Sequence, residues 1–403
     1  MQSRRAISYP KDFSSRPLPS EAATPDFPTA LISVLGIAAI LALPFFRFRP
    51  NRIAEGTAVY LLMQSPWAAA LILALWVASL LGSTVRSRVV GPVFPLLISC
   101  VSFLAAGAGC RHLATGPIAR VSVSAGFWVT LMLCYLLFVT ISGRMESHVL
   151  RRALSASVPI LLAILLVTGY LNQVSVVREY TTQKATFVAE TETHAALSGI
   201  AVAGGTLFGI LFGVLARRSS VLRQVGFFIL NILQTIPSLA LFGFMILPLA
   251  ALAHRFPVLT RLGISGIGPA PALLALAVYA TFPVARNTYT ALAGISSALT
   301  EAGRGMGMTR LQLLLRVEAP VAAPVILGGV RTSAVQAVGN TVVTALIGAG
   351  GLGAFIFQGL GQYAPDLILL GTLPVIAMAI LTDIIMGGLI RAVTPKPMRE
   401  RAA

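Results

Sequence analysis

Glu301-Ala302-Gly303, then Gly307, then Val317-Glu318-Ala319-Pro320 make up a polar and basic stretch lying between two long apolar runs. A polar island this short, flanked by runs of about 20 apolar residues, marks a loop joining two membrane spans. Thr300 is placed to cap a helix N-terminus, with Glu301 in the first turn favouring the positive end of the helix dipole. Gly303, Gly305 and Gly307 weaken a long helix and permit a tight turn or close backbone approach. The expectation is a short helix, a bend, and a second piece carrying Arg304, Arg310 and Arg316 and ended by Pro320. A rigid knob of this kind could enter a partner's groove. The plainer alternative is an ordinary basic loop between spans.

Outward from this loop, composition sets the class. The chain of 403 residues is 56% hydrophobic and only 11% charged, with a mean hydropathy of +0.86. Apolar runs of span length repeat along it, which excludes a soluble protein and predicts an all-α, polytopic membrane protein. The net charge of +17 does not indicate nucleic acid, because the basic residues come in short groups between apolar runs rather than along one stripe. Cys100, Cys110 and Cys134 lie in or beside apolar segments without metal spacing and read as small hydrophobes.

About ten transmembrane helices are expected, over roughly 29–46, 66–83, 89–110, 121–142, 153–174, 195–215, 225–249, 271–293, 321–345 and 366–390. Residues 1–28, polar, Pro-rich and bearing Arg4, Arg5, Lys11 and Arg16, read as a cytoplasmic tail rather than a cleaved signal. With that tail inside, roughly two thirds of the Lys and Arg residues fall on inner segments, so both termini are expected in the cytoplasm. The bias is weakest in the front half, where Arg47, Arg49 and Arg52 fall outside. Residues 29–175 form a plainer set of five spans, an accessory unit. Residues 176–193, with Glu179, Glu190 and Glu192 against Arg178 and Lys184, read as an external loop. Residues 194–391 hold five spans dense in Gly and Pro, and 392–403 form a cytoplasmic C-terminal tail. Gly205, Gly209 and Gly213 recur every fourth residue, leaving one helix face bare for close packing.

The spacing from Glu301 to Pro320 resembles the loop by which permease subunits of bacterial type I ABC importers grip their ATPase. Gly303 and Ala319 depart from the usual Ala and Leu, while the glutamate and the key glycine remain. Three further blocks carry the resemblance over residues 194–391. They are Gln234-Thr235-Ile236-Pro237-Ser238 to Gly243, then Gly266 to Ala272 with Tyr279 through Phe282-Pro283 to Tyr289, and Gly328-Gly329-Val330-Arg331-Thr332 with Ala345 to Gly353. Together they look like the permeases of osmoprotectant importers for glycine betaine, choline and related quaternary amines. Some members of that branch look similar in carrying extra N-terminal spans.

The resemblance implies a bacterial inner-membrane permease subunit, built on a type I importer permease core of about five helices, that hydrolyses nothing itself. Its implied partners are an ABC ATPase dimer, a second permease subunit, identical or paralogous, and an extracytoplasmic solute-binding protein. It also implies that Glu301, Ala302, Gly303, Gly307 and Pro320 couple the permease to the ATPase. Candidates for the translocation path are Gln234, Pro237, Phe242, Tyr279, Phe282 and Asn287, with Phe244 beside them; packing is the alternative role for the aromatic ones. No Walker A lysine motif is present, so ATP would be bound by another chain. Rival readings are an importer permease for another small solute, such as methionine or another amino acid, and a stand-alone secondary transporter.

Gly348-x-Gly350-x-x-Gly353 matches the dinucleotide spacing, but a span precedes it and no βαβ pattern surrounds it. It reads as a flexible or re-entrant turn, and no cofactor is expected. His112, His148, His194 and His254 are scattered, so no metal site is expected either. Arg331 and Asp383 are the clearest charges within spans. Arg331 lies 11 residues beyond Pro320, about 16 Å deep, and Asp383 lies 8 residues before Arg391, about 12 Å deep. Their matching depths predict a buried ion pair, against a substrate contact for Arg331 or snorkelling to the interface.

Overall fold

A computed structural model describes residues 26–394, apart from 52–53, 84–90, 115, 117, 144 and 262. Most of the two expected tails, and Arg52, lie outside the described residues. The chain forms two compact units, Met1–Arg178 and Glu179–Ala403.

The first unit runs α1 (Phe27–Ala42), β1 (Phe46–Arg49), β2 (Thr57–Val59), α2 (Leu61–Gln64), α3 (Pro66–Gly82), α4 (Val93–Leu113), β3 (Arg120–Val123), α5 (Ala125–Ser142) and α6 (His148–Val167); α7 (Ser175–Thr182) follows. The strands make a small antiparallel sheet in the order β2-β1-β3, with Phe46 opposite both Val59 and Val123. Spans expected to reach 46 and to begin at 121 are therefore trimmed. Leu43 precedes Pro44 and takes an extended conformation, as the proline ring demands, and the chain leaves the helix there. The fifth span is shifted, starting at His148, where the Ser147 hydroxyl accepts from the Leu150 amide, and stopping at Val167 before the left-handed Gly169. The core of this unit centres on Trp76, Phe45, Phe46, Ile72 and Leu137. Gly36 makes room for the indole: a Cβ there would stand 2.3 Å from Trp76.

The second unit holds α8 (Lys184–Ala216), α9 (Ser220–Thr235), α10 (Ser238–Arg255), α11 (Pro257–Arg261), α12 (Pro269–Ala293), α13 (Ser297–Gly305), α14 (Arg310–Leu313), α15 (Ala319–Asn340), α16 (Gly353–Gly361) and α17 (Pro365–Val393). The 176–193 stretch is not a loop. It forms α7 and the first turns of α8, and it contains no Gly or Pro to interrupt a helix. At 33 residues, α8 is about 50 Å long and exceeds a bilayer core of about 30 Å. The span expected over 225–249 is broken. Pro237 pushes Ile236 into an extended conformation, ending α9, and α10 starts at Ser238.

Eight helical stretches among the described residues are long and apolar enough to cross a membrane, and α1 and α3 are shorter apolar helices. α12 packs on α8 along the bare glycine face. Cβ atoms added at Gly205, Gly209 and Gly213 would stand 2.4, 2.7 and 2.6 Å from the Cβ atoms of Ala280, Val284 and Thr288. α15 packs on α12 as well and also touches α8; a Cβ at Gly329 would stand 2.8 Å from the Pro283 carbonyl oxygen, and Ser333 donates to the Ala280 carbonyl at 2.7 Å. α9 buries none of its residues, and Val221, Phe228, Ile229 and Ile232 face outward, as expected of helices solvated by lipid or covered by another subunit.

Candidate functional site

The Glu301 loop is a structured knob. α13 ends in a paired C-terminal cap: the Gly307 amide donates to the Arg304 carbonyl at 2.9 Å and the Met308 amide to the Gly303 carbonyl at 3.2 Å. That cap needs a left-handed residue, which Gly307 supplies at φ 77°, with no atom within 4 Å of where its Cβ would be. Thr309 then opens α14 with a reciprocal box, its hydroxyl accepting from the Gln312 amide at 3.3 Å while its own amide donates to Gln312 Oε1 at 2.9 Å. Gly303 is buried where a Cβ would meet Leu313 at 2.5 Å, so the missing methyl brings the two pieces together. Glu301 and Ala302 are exposed on α13.

Several expectations for this loop are corrected. Thr300 caps nothing; the N-cap position belongs to Ser296, and Thr300, one turn into the helix, donates to the Ser297 carbonyl. Glu301 therefore sits in the second turn. Arg304 belongs to α13 rather than to the second piece. Pro320 does not end that piece: α14 passes through a wide π-turn, Leu314–Glu318, into α15, and helix continues to Ile347. Pro320 has no amide to donate, and the wide turn ends two residues before it.

The π-turn carries the contact least visible in the sequence. Arg217, just past the end of α8, grips Glu318 with two nitrogens, at 2.6 and 3.0 Å. The carboxylate side chain is 6% exposed and the guanidinium side chain 35%. Glu318 lies inside the quoted motif, but its partner is 101 positions away. Beside the pair opens a cleft of about 570 Å³ lined by Val214, Arg217, Arg218, Leu292, Arg304, Arg310, Leu313, Leu314 and Glu318.

The candidate path residues divide. Gln234 and Pro237 flank the α9–α10 break, and Tyr279 of α12 reaches it by donating its hydroxyl to the Ile236 carbonyl. Gln234 Oε1 is buried with no hydrogen-bond partner among the described residues. Phe242 is fully buried in a core cluster with Tyr279, Leu241 and Leu276. Phe282 is half-buried. Asn287 lies farther along α12, against Gly328 and Gly329 of α15. Phe244 is exposed on α10.

Arg331 of α15 donates from Nε and Nη2 to the two carboxylate oxygens of Asp383 on α17, both at 2.6 Å. Within this chain the pair is not buried; the side chains are 42% and 44% exposed. Two planar groups meeting edge to edge need only adjacent helices, and α15 and α17 leave the outer side of the pair uncovered. The Gly348–Gly353 segment, read as a flexible or re-entrant turn, is a glycine turn tied to α8. Gly348, Gly350 and Gly351 all have positive φ, and the Gly351 amide donates to Glu190 of α8 at 2.5 Å. α16 follows directly.

Comparison with known proteins places this architecture. Residues 205–398 match the binding-protein-dependent transport system inner membrane component family, and residues 27–177 match the N-terminal domain of the ABC transporter permease YehY. The carnitine transport permease protein OpuCB of Listeria monocytogenes is 39% identical over 53% of this chain and 90% of its own length. The choline transport system permease protein OpuBB of Bacillus subtilis is 38% identical over 52% and 90%. Among solved structures, an inward facing conformation of the MetNI methionine ABC transporter is 26% identical over 53% of this chain and 99% of its own, with a TM-score of 0.47. The chain thus belongs to the binding-protein-dependent transport system inner membrane component family. It is a multi-pass membrane transport subunit of the ABC type.

Proposed function

We propose that the chain is the permease subunit of an ATP-driven importer and forms the path for an osmoprotectant such as glycine betaine, choline, carnitine or a related quaternary amine. The observation that carries this reading is the likeness to carnitine and choline permeases, matched over nine tenths of their length. Two copies of the permease, or this chain and a paralogue, enclose the path. An ABC ATPase dimer seats the Glu301 loops, and ATP-driven closure of that dimer opens the path outward to a solute-binding protein. The loop's construction supports this role. Its two caps make it stiff enough to transmit a push, while Met306, Leu311 and Leu315 are exposed on it, an apolar surface suited to a protein groove. The loop and both termini then face the cytoplasm.

Residues 29–175 are an accessory unit that serves stability or regulation rather than the path, a reading supported by relatives that match only about half of this chain.

Reconstitution with the cognate ATPase and binding protein tests the reading. ATP-dependent uptake of labelled glycine betaine, choline or carnitine is expected, abolished by Glu301→Lys or Gly307→Asp with membrane abundance preserved. Uptake of methionine alone would transfer the chain to another solute class. Uptake without ATP or the ATPase would make it a secondary transporter.

A further inference from the structure

The cleft beside the Arg217–Glu318 pair is lined by four arginines and one carboxylate. Both oxygens of that carboxylate are engaged by Arg217. Arg218, Arg304 and Arg310 are exposed and have no carboxylate partner among the described residues. Three guanidinium groups from separate elements, the end of α8, α13 and α14, thus border one concavity whose one lining carboxylate, Glu318, is already paired with Arg217. Like charges are gathered this way at a cost that an anion would remove.

The lining also specifies what kind of anion. A guanidinium offers a planar fork that matches phosphate oxygens in pairs. A volume of about 570 Å³ falls within the range of small-molecule sites, about 300–1,000 Å³. Val214 and Leu314, both half-buried, supply a small apolar edge beside the arginines, while Leu292 and Leu313 are almost wholly buried. A small inorganic ion has no use for such an edge, whereas an amphipathic molecule does. The cleft opens where α8 and α12 end, and anionic headgroups attract basic side chains clustered at the ends of spanning helices.

We infer that this cleft binds a phosphate-bearing anion through Arg218, Arg304 and Arg310, and that its occupant is an anionic phospholipid whose chain leaves the cleft past Val214 and Leu314. The headgroup bridges α8 to both pieces of the Glu301 loop, across the Gly307 turn. Loop position then depends on the lipid. Nothing in this depends on which solute is transported, so the inference stands or falls separately from the proposed function.

The test uses the full chain purified in neutral detergent and read by native mass spectrometry. Phosphatidylglycerol, phosphatidylcholine with the same acyl chains, and inorganic phosphate are added separately and in competition. Phosphatidylglycerol should be retained over phosphatidylcholine by about tenfold or more. The triple change Arg218→Gln, Arg304→Gln, Arg310→Gln should remove that preference, while the corresponding Lys triple keeps part of it and shows that the chain remains folded. Arg255→Gln with Arg261→Gln, outside the cleft, should leave the preference intact. Displacement by inorganic phosphate at equal concentration would overturn the lipid assignment and leave a free-anion site. Equal retention of the two lipids, or a Gln triple that keeps the preference, would overturn the site itself. So would a Gln triple that loses only ATPase association, since the arginines would then be a protein contact.

Discussion

Removing either partner of the Arg217–Glu318 pair should destabilise the second unit, but by unequal amounts. Arg217→Ala strands a carboxylate whose side chain is 6% exposed. Breaking a buried ion pair in this way costs about 3–5 kcal/mol. Because the guanidinium side chain is 35% exposed and the pair partly screened, about 2 kcal/mol is the fitting figure here. Glu318→Ala leaves a guanidinium that already reaches the surface and can hydrate, at a cost of about 1 kcal/mol. The double variant removes the stranded charge and should cost less than the sum, with a coupling of about 1 kcal/mol. For a unit of this size the melting temperature moves about 2–4 °C per kcal/mol. Arg217→Ala should then melt about 4–8 °C lower and Glu318→Ala about 2–4 °C lower, measured by thermal unfolding in detergent. The reasoning fails if Glu318→Ala is the more damaging change, or if the two losses simply add.

Gly209→Val should disrupt the α8–α12 contact by about 1–3 kcal/mol, since even a Cβ would stand 2.7 Å from Val284, whereas Gly243→Ala, with open space at its Cβ, should be neutral in the same melting assay. Gly307→Val should cost about 1–2 kcal/mol of local strain and weaken ATPase capture without lowering membrane abundance. Gly307→Asn, which tolerates a left-handed conformation, should retain most of that capture. Arg331→Ala and Asp383→Ala should each lower the amount of folded protein in membranes, and the double change should recover part of it; equal additive losses would mean the two residues act independently. Truncation to the second unit should leave a chain that still captures the ATPase, and loss of capture at normal abundance would contradict an accessory first unit.

The spans were open to sequence reading because hydropathy integrates over about 20 residues and tolerates errors at the ends. The bare face of α8 was equally plain, as a four-residue glycine repeat has one geometric meaning on a helix. The capping box of Thr309 and Gln312 went unread, although its T-x-x-Q spacing is a local signal of the same kind. Polar composition, by contrast, misled at 176–193, since a helix that continues past the bilayer is as polar as a loop. Pro237 showed that two turns of apolar sequence on either side do not guarantee one helix. Pro320 showed the reverse, a proline carried through by a π-turn. Arg331 and Asp383 could be matched by depth alone, since each lies a countable distance from a span end. Depth says nothing of lateral position, so only the packed bundle shows how much of that pair is covered. Arg217 and Glu318 are joined, and the arginines of the cleft gathered, by the way α8, α13 and the π-turn meet. Contacts of that kind depend on distances between elements far apart in the chain, which local propensity and hydropathy do not encode.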